Sequence, residues 1–274
     1  MNKKLLAIAI SGALAVPMAA QAVSFKVGGH VNRAINFYDD GRGSDVTNVD
    51  NGTSGSRFRF TGSDDLGVGG MKVGKEFFTA CGPDGVRAVT ECGMPVFMDT
   101  KFHDIPNTVA GAVRAALPLK PYILNVHASG GEVMMRAAAQ AVAEAGEGRP
   151  LLIAITVLTS MDESDLQDVG VDSAVPDQVL RLATLAQYSG LDGVVCSARE
   201  VEDLREHLGK DFKLVVPGIR PKWAASDDQK RIVTPAAAIA IGADYLVIGR
   251  PITGAADPVE AADKIAAEIA AGVS

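Results

Sequence analysis

Three charged side chains, Asp99, Lys101 and Asp104, lie close together directly after an apolar run at residues 95–98. Such a run is typical of a buried parallel strand, and alternation along it puts Asp99 and Lys101 on one face and Thr100 on the other. Ionised groups seldom lie at a strand end unless they pair or take part in chemistry. Carboxylates and an amine in this spacing are suited to electrostatic and acid–base catalysis, and the plainer interpretation is a surface salt-bridge cluster.

The elements that must position these groups are apolar runs alternating with helix-like segments. The runs are residues 71–74, 96–99, 122–127, 151–158, 193–196, 214–216 and 245–248. Segments 133–145 and 176–188 have helical periodicity, and the Ala-rich tail 258–272 predicts a closing helix. Continuous apolar strands between amphipathic helices indicate a parallel sheet covered on both faces. Seven such units predict an α/β TIM barrel, which needs eight. A doubly wound open sheet is the alternative, although no Gly-x-Gly-x-x-Gly follows the first strand.

A TIM barrel displays its site at the carboxyl ends of its strands. Polar residues stand at those ends here: Lys72, Asp99, Lys101, Asn125, His127, Thr159, Ser160, Arg220, Gly249 and Arg250. This coincidence of polar positions with strand ends is a stronger signal than any single residue.

The amino-acid composition argues against some classes of binding partner. The net charge is −7 and the pI is about 5.1, which argues against a nucleic-acid-binding surface. An anionic substrate must therefore be held by a few local cations. The three cysteines, Cys81, Cys92 and Cys196, lack metal-ligand spacing and favour a reducing compartment for the segment that carries them.

The longer string Asp-x-Lys-Phe-His-Asp-Ile-Pro-Asn-Thr, residues 99–108, closely resembles the signature of the orotidine 5'-phosphate decarboxylase family. The likeness runs from about residue 72 to near the C-terminus. It implies a lyase of pyrimidine (UMP) biosynthesis that decarboxylates orotidine 5'-phosphate to UMP with no cofactor and no metal. Without a prosthetic group, the site must stabilise the vinyl carbanion at C6 electrostatically.

The resemblance assigns the catalytic roles. Asp99 would crowd the departing carboxylate, and Lys101 would stabilise the carbanion and donate a proton to C6. Lys72 and Asp104 would complete the charge network. The resemblance also implies a homodimer in which Asp104 and Thr108 reach the active site of the partner subunit.

The same resemblance assigns the contacts to the substrate. Thr159 and Ser160, within Leu-Thr-Ser-Met, match the loop on the pyrimidine side. Contacts on the phosphate side would come from Arg220, Gln229, Gly249 and Arg250.

The first 71 residues have a different character. Residues 1–22 combine a basic start, an apolar stretch and an Ala-Gln-Ala cleavage site, which predicts a secretory signal peptide. Residues 23–71 alternate apolar and polar positions and resemble the opening of a Gram-negative porin. This segment has too few strands to form a pore by itself. The predicted division is therefore a signal peptide (1–22), a porin-like β segment (23–71) and a decarboxylase-like barrel (72–274). The family resemblance implies a cytoplasmic protein, whereas the leader would direct export to the periplasm or outer membrane.

Enzymes of this family begin with a strand that ends in Ala-Leu-Asp, whose Asp holds the ribose, and then a helix; the sequence carries neither. A barrel without its first strand would have two unpaired edges. One hypothesis is that residues 57–61, or the strand at 25–37, fill the gap. The alternatives are an inactive chimeric fragment, a porin-like outer-membrane protein, or another phosphate-binding barrel enzyme such as a sugar-phosphate decarboxylase or epimerase.

Overall fold

The structure, a computed structural model, describes residues 69–224 and 233–272 together with short strands at 8–10, 26–28, 35–39, 44–48 and 59–61. In chain order the short strands are β1 (Ile8–Ile10), β2 (Lys26–Gly28), β3 (Ile35–Asp39), β4 (Ser44–Asn48) and β5 (Arg59–Thr61). The strands that follow are β6 (Gly70–Gly74), β7 (Val96–Phe102), β8 (Ile123–His127), β9 (Leu151–Ile155), β10 (Gly193–Val195), β11 (Lys213–Pro217) and β12 (Tyr245–Val247).

The helices alternate with strands β6 to β12. They are α1 (Lys75–Thr90), α2 (Pro106–Ala116), α3 (Gly131–Ala143), α4 (Glu163–Asp168), α5 (Val175–Tyr188), α6 (Val201–Leu208), α7 (Pro235–Ala240), α8 (Arg250–Thr253) and α9 (Pro258–Gly272). Each predicted apolar run has become a strand, and each predicted helical segment a helix. The predicted α/β barrel of the TIM type is confirmed.

Burial on both faces explains why the strands are continuously apolar. In β8, Ile123, Leu124 and Val126 are all fully buried, although their side chains alternate between the barrel interior and the helix layer. Helix α3 covers this part of the sheet with a buried stripe that includes Met134, Ala138 and Ala141 at helical spacing. The strand is therefore covered on both faces, by the barrel interior and by the helix layer.

The barrel is closed, which corrects the expectation of two unpaired edges. Strand β1 lies parallel between β6 and β12, with Ile8 opposite Gly70 and Val247, and Ile10 opposite Lys72. Closure satisfies the backbone groups that an open barrel would leave at its edges.

The hypothesis that residues 57–61 or 25–37 fill the gap is wrong. Strand β5 pairs antiparallel with β2, and β3 pairs antiparallel with β4. Each pair forms a two-stranded sheet that is separate from the barrel sheet. The residues that enter the barrel come from the predicted signal peptide. An apolar run without charges suits a strand buried on both faces better than the polar–apolar alternation of residues 25–37 does.

Candidate active site

Lys72 and Asp99 meet across neighbouring parallel strands. Gly74 of β6 lies opposite Asp99 of β7, and Lys72 stands two residues earlier on the same face of β6. A side-chain carbon at Gly74 would stand 3.5 Å from the Lys72 Nζ atom, in ordinary van der Waals contact. The strand register therefore directs Lys72 towards the carboxylate.

The Asp99 carboxylate accepts hydrogen bonds on both oxygens. Lys72 Nζ donates to Oδ2, Lys101 Nζ donates to Oδ1 at 2.5 Å, and Asn125 Nδ2 donates to the same Oδ1 at 2.6 Å. The side chains of Lys72 and Asp99 are 6% and 8% exposed, whereas that of Lys101 is 26% exposed. The buried end of the network is therefore dry, and its open end carries the Lys101 ammonium group.

The pKa values of Asp99 and Lys72 are both lowered, for different physical reasons. Burial alone would raise the pKa of the Asp99 carboxyl, but Lys72 and Lys101 outweigh it and hold that pKa below its usual value. Burial, the largest effect, lowers the pKa of Lys72; Asp99 raises it, Lys101 lowers it further, and the net result lies below the usual value. The carboxylate shared by the two amines therefore remains ionised.

Strand β7 is irregular where it carries Lys101. Met98 lies opposite Leu124 and Phe102 lies opposite Val126, so the register with β8 shifts between these pairs. Lys101 has a φ of +52°, in the left-handed region that few non-glycine residues adopt. Its backbone N–H donates to Asn125 Oδ1 at 2.7 Å instead of to a strand carbonyl. With this bulge in the strand, the Lys101 side chain still contacts Asp99.

Sequence reasoning placed Asn125 at a strand end and gave it no role. Its side chain is fully buried and bonds both the Asp99 carboxylate and the Lys101 backbone. The available signal was an amide between two apolar residues, Leu124 and Val126, in an otherwise apolar strand. A buried amide of that kind requires hydrogen-bond partners.

Asp104 and Thr108 do not join the network within this chain. Asp104 is exposed and accepts a hydrogen bond from the backbone N–H of Ile105 at 2.6 Å. Thr108 is exposed on the first turn of α2. Both face away from the core, beside Ile105, which is 67% exposed.

The other predicted residues lie at the same end of the barrel. Thr159 and Ser160 are exposed in the turn after β9, and Arg220, after β11, is half-buried and donates its backbone N–H to Val233 at 3.1 Å. Gly249 and Arg250 follow β12, the strand that pairs with β11, and Arg250 begins α8. Gln229 lies outside the described residues. The structure thus brings the predicted phosphate residues that it describes to two adjacent strand ends.

Two histidines flank the open side of the network. The rings of His103 and His127 lie 5.4 Å apart between centroids. Partial burial, with repulsion from His103, Lys75 and Lys101, lowers the pKa of His127 to about 4. His127 is therefore neutral at pH 7 and adds no charge to the site.

Neither a metal site nor a membrane-spanning helix stands out in the described part of the chain. Its His, Cys, Asp and Glu side chains form no group of three that could hold a metal ion. No helix among the described residues is long and apolar enough to cross a bilayer.

Comparisons of this chain with a family model and with individual proteins identify the same family. Residues 64–265 match the family described as "Orotidine 5'-phosphate decarboxylase / HUMPS family". The orotidine 5'-phosphate decarboxylase of Rhodospirillum rubrum is 61% identical over 207 residues, which cover 74% of this chain and 84% of that protein. The enzyme of the same name from Vibrio cholerae is 61% identical over 188 residues, covering 69% of this chain and 81% of its own.

A solved structure supports the same assignment. The crystal structure of orotidine 5'-phosphate decarboxylase from Lactobacillus acidophilus superposes with a TM-score of 0.66 at 39% sequence identity. The superposition covers 73% of this chain and 86% of that one.

Proposed function

Because the chain belongs to the orotidine 5'-phosphate decarboxylase / HUMPS family, we propose that it decarboxylates orotidine 5'-phosphate to UMP through the Lys72–Asp99–Lys101 network. The reaction is the one named for its relatives, and it is a step of pyrimidine biosynthesis. The observation that carries the proposal is the buried Asp99 carboxylate with an ammonium group on each oxygen.

The charges suit loss of carbon dioxide from C6. A substrate carboxylate placed against Asp99 meets a like charge in a site with little water, which favours its departure. The C6–carboxyl bond breaks and leaves its electron pair on C6, beside the Lys101 ammonium. Lys101 Nζ then donates a proton to C6 and regains one from solvent, which reaches its 26% exposed side chain.

Lys72 has a supporting part in this scheme. Its ammonium group neutralises one oxygen of Asp99 and leaves the other directed at Lys101. With a net charge of +1, the three groups complement the anion that develops at C6. Because such a network titrates as a unit, the rate should report coupled pKa values and not one residue.

The phosphate would be bound away from the reacting carbon. Arg220 and Arg250, with Gln229 and the backbone at Gly249, are the proposed contacts. An arginine can hold a phosphate bidentately, and a bare glycine allows close approach of the backbone. Thr159 and Ser160 would contact the pyrimidine. Binding energy from these remote groups can then lower the barrier at C6.

A second copy of the chain would complete the site. In this homodimer Asp104 and Thr108 extend into the partner's active site and add a second carboxylate to the network.

The N-terminal part of the proposal is a division into a leader (1–22), a porin-like segment (23–71) and the barrel (72–274). Strand β1 lies inside the predicted leader, so cleavage after Ala22 would remove a barrel strand. The first acidic residue of the chain is Asp39, so β1 brings no Asp to hold the ribose. Loss of that contact would weaken substrate binding by roughly 1–3 kcal/mol.

The direct test is the fall in orotidine 5'-phosphate absorbance, with UMP identified as product, on adding the purified full chain. We expect turnover that is abolished by Asp99→Asn and retained by Glu144→Gln, which alters an exposed ion pair with Arg114 on the helix layer. Absence of turnover at any enzyme concentration would identify an inactive chimera. Cell fractionation tests the location separately: a soluble dimer supports the enzyme, and a heat-modifiable outer-membrane species supports the porin-like alternative.

A further inference from the structure

The Asn125 side chain joins the two groups that the proposed reaction needs to keep in register. Its Nδ2 atom donates to Asp99 Oδ1 at 2.6 Å, and its Oδ1 atom accepts the backbone N–H of Lys101 at 2.7 Å. The side chain has no solvent exposure. A carboxylate can only accept and a backbone N–H can only donate, so both ends of the amide are used in one orientation.

The bulge in β7 makes this contact necessary. Between the pairs Met98–Leu124 and Phe102–Val126, β7 has more residues than β8, and the regular ladder is interrupted. The Lys101 N–H lies in that interval and finds its acceptor in the Asn125 side chain. The same bond holds the left-handed backbone at Lys101, which sets the direction of its ammonium group.

We propose that Asn125 is a positioning residue that fixes the Asp99 carboxylate and the Lys101 ammonium relative to each other for proton transfer to C6. This inference rests on the proposed function. Asn125 acts through its neighbours: it shapes the pair that crowds the carboxylate and delivers the proton. Small displacements of reacting groups cost large factors in rate.

The position of Asn125 also predicts which kinetic constant changes. The residues proposed to hold the phosphate follow β11 and β12, on strands other than β8. Loss of the amide should therefore lower kcat and leave KM nearly unchanged. The Asn125→Ala variant should lose about 10–100-fold in kcat, with KM within about threefold of wild type.

A carboxyl at position 125 gives a second, pH-dependent signature. When protonated, it can donate to Asp99 and accept from Lys101 as the amide does; when ionised, it repels Asp99. The charged groups around it are Lys72 on β6 and Asp99 and Lys101 on β7. His127 at the end of β8, with His103 and Lys75 nearby, lies further out. The kcat of Asn125→Asp should fall at least about tenfold as pH rises from 5.5 to 8.5, relative to wild type, and that of Asn125→Ala should show no such decline.

The matched control is Ser189→Ala. Ser189 is 2% exposed, and its Oγ donates to the Leu185 carbonyl at 2.7 Å at the end of α5. This variant also removes a buried side-chain hydrogen bond but leaves the charge network intact. Its kcat, KM and pH profile should match those of wild type.

One measurement does not depend on turnover. Amide hydrogen exchange at Lys101 should be at least about tenfold faster in Asn125→Ala than in wild type or Ser189→Ala. If wild type shows no turnover, the proposed function fails, and the exchange rate still decides whether Asn125 holds the Lys101 backbone. Wild-type kcat in Asn125→Ala, matching pH profiles of the two Asn125 variants, or unchanged exchange at Lys101 would each overturn the inference.

Discussion

Replacing Asp99 with Asn tests whether the network is a buried charge pair in which Lys72 depends on its partner. The substitution keeps the size of the side chain and removes the negative charge between Lys72 and Lys101. Removing one partner of a buried ion pair typically costs 3–5 kcal/mol, because the other charge is left uncompensated. Lys101 has access to water, so most of this cost falls on Lys72, whose side chain is 6% exposed.

Deprotonation of Lys72 limits that cost. Taking the proton off a lysine whose ordinary pKa is 10.5 costs about 1.4 kcal/mol per pH unit, or about 5 kcal/mol at pH 7 and just over 1 kcal/mol at pH 9.5. Without Asp99, burial and Lys101 both lower the pKa of Lys72. The unfolded chain then binds more protons than the folded one up to about pH 10, so folding stability rises with pH.

Urea unfolding at pH 7 and pH 9.5 measures both effects. We expect Asp99→Asn to lose about 3–5 kcal/mol at pH 7 and about 1–2 kcal/mol at pH 9.5, relative to wild type at the same pH. Glu144→Gln, in the exposed pair with Arg114, should leave the unfolding free energy nearly unchanged at either pH. An Asp99→Asn loss as small as that of the control, or the same at both pH values, would refute the idea of a dry pair in which Lys72 depends on Asp99.

Three further predictions concern the scaffold. Because the pKa of His127 is lowered to about 4, the unfolded chain takes up an extra proton below pH 6.5. Stability should therefore fall by about 1–2 kcal/mol between pH 6.5 and 4, and His127→Gln should flatten that slope in urea titrations. A methyl group at Gly193 would stand 2.2 Å from the Lys213 carbonyl oxygen, so Gly193→Ala should lower the unfolding free energy by at least about 2 kcal/mol. Its control, Gly111→Ala, fills open space on α2 and should be neutral or stabilising by about 0.5–1 kcal/mol; equal effects would contradict the packing at β10. Deleting residues 1–22 removes β1, so backbone amides of β6 and β12 should exchange faster than those of β9, and unchanged protection would show that β1 does not close the barrel.

The barrel and the polar rim at its strand ends could be predicted because their signals are local. Apolar runs of strand length alternate with helical periodicity, and parallel strands put their carboxyl ends at one edge. Lys72 and Asp99 are 27 residues apart in sequence, yet this rule alone places them together, as the structure does.

The role of Asn125 could not be predicted in the same way. Its contacts depend on a bulge in β7, and no residue type in this segment of the sequence marks a bulge. The partner of the Lys101 N–H is set by the register between two strands, which the sequence of neither strand specifies alone.

The closing strand was missed for a different reason. Residues 8–10 lie in an apolar stretch with a basic start and a small-residue end, and these features are typical of a secretory leader. A buried parallel strand needs the same apolar character. The pattern therefore fits both a secretory leader and a barrel strand, and the pairing of β1 with β6 and β12 shows that these residues can serve as the strand.

Steady-state turnover of orotidine 5'-phosphate by wild type and Lys101→Met tests the central claim most directly. The methionine keeps much of the side-chain length and removes the ammonium group that contacts Asp99 and that is proposed to supply the proton. With both proteins folded and binding UMP with similar affinity, we expect wild type to form UMP and the variant to lose at least about a thousandfold in kcat. Turnover of Lys101→Met within threefold of wild type would contradict the account.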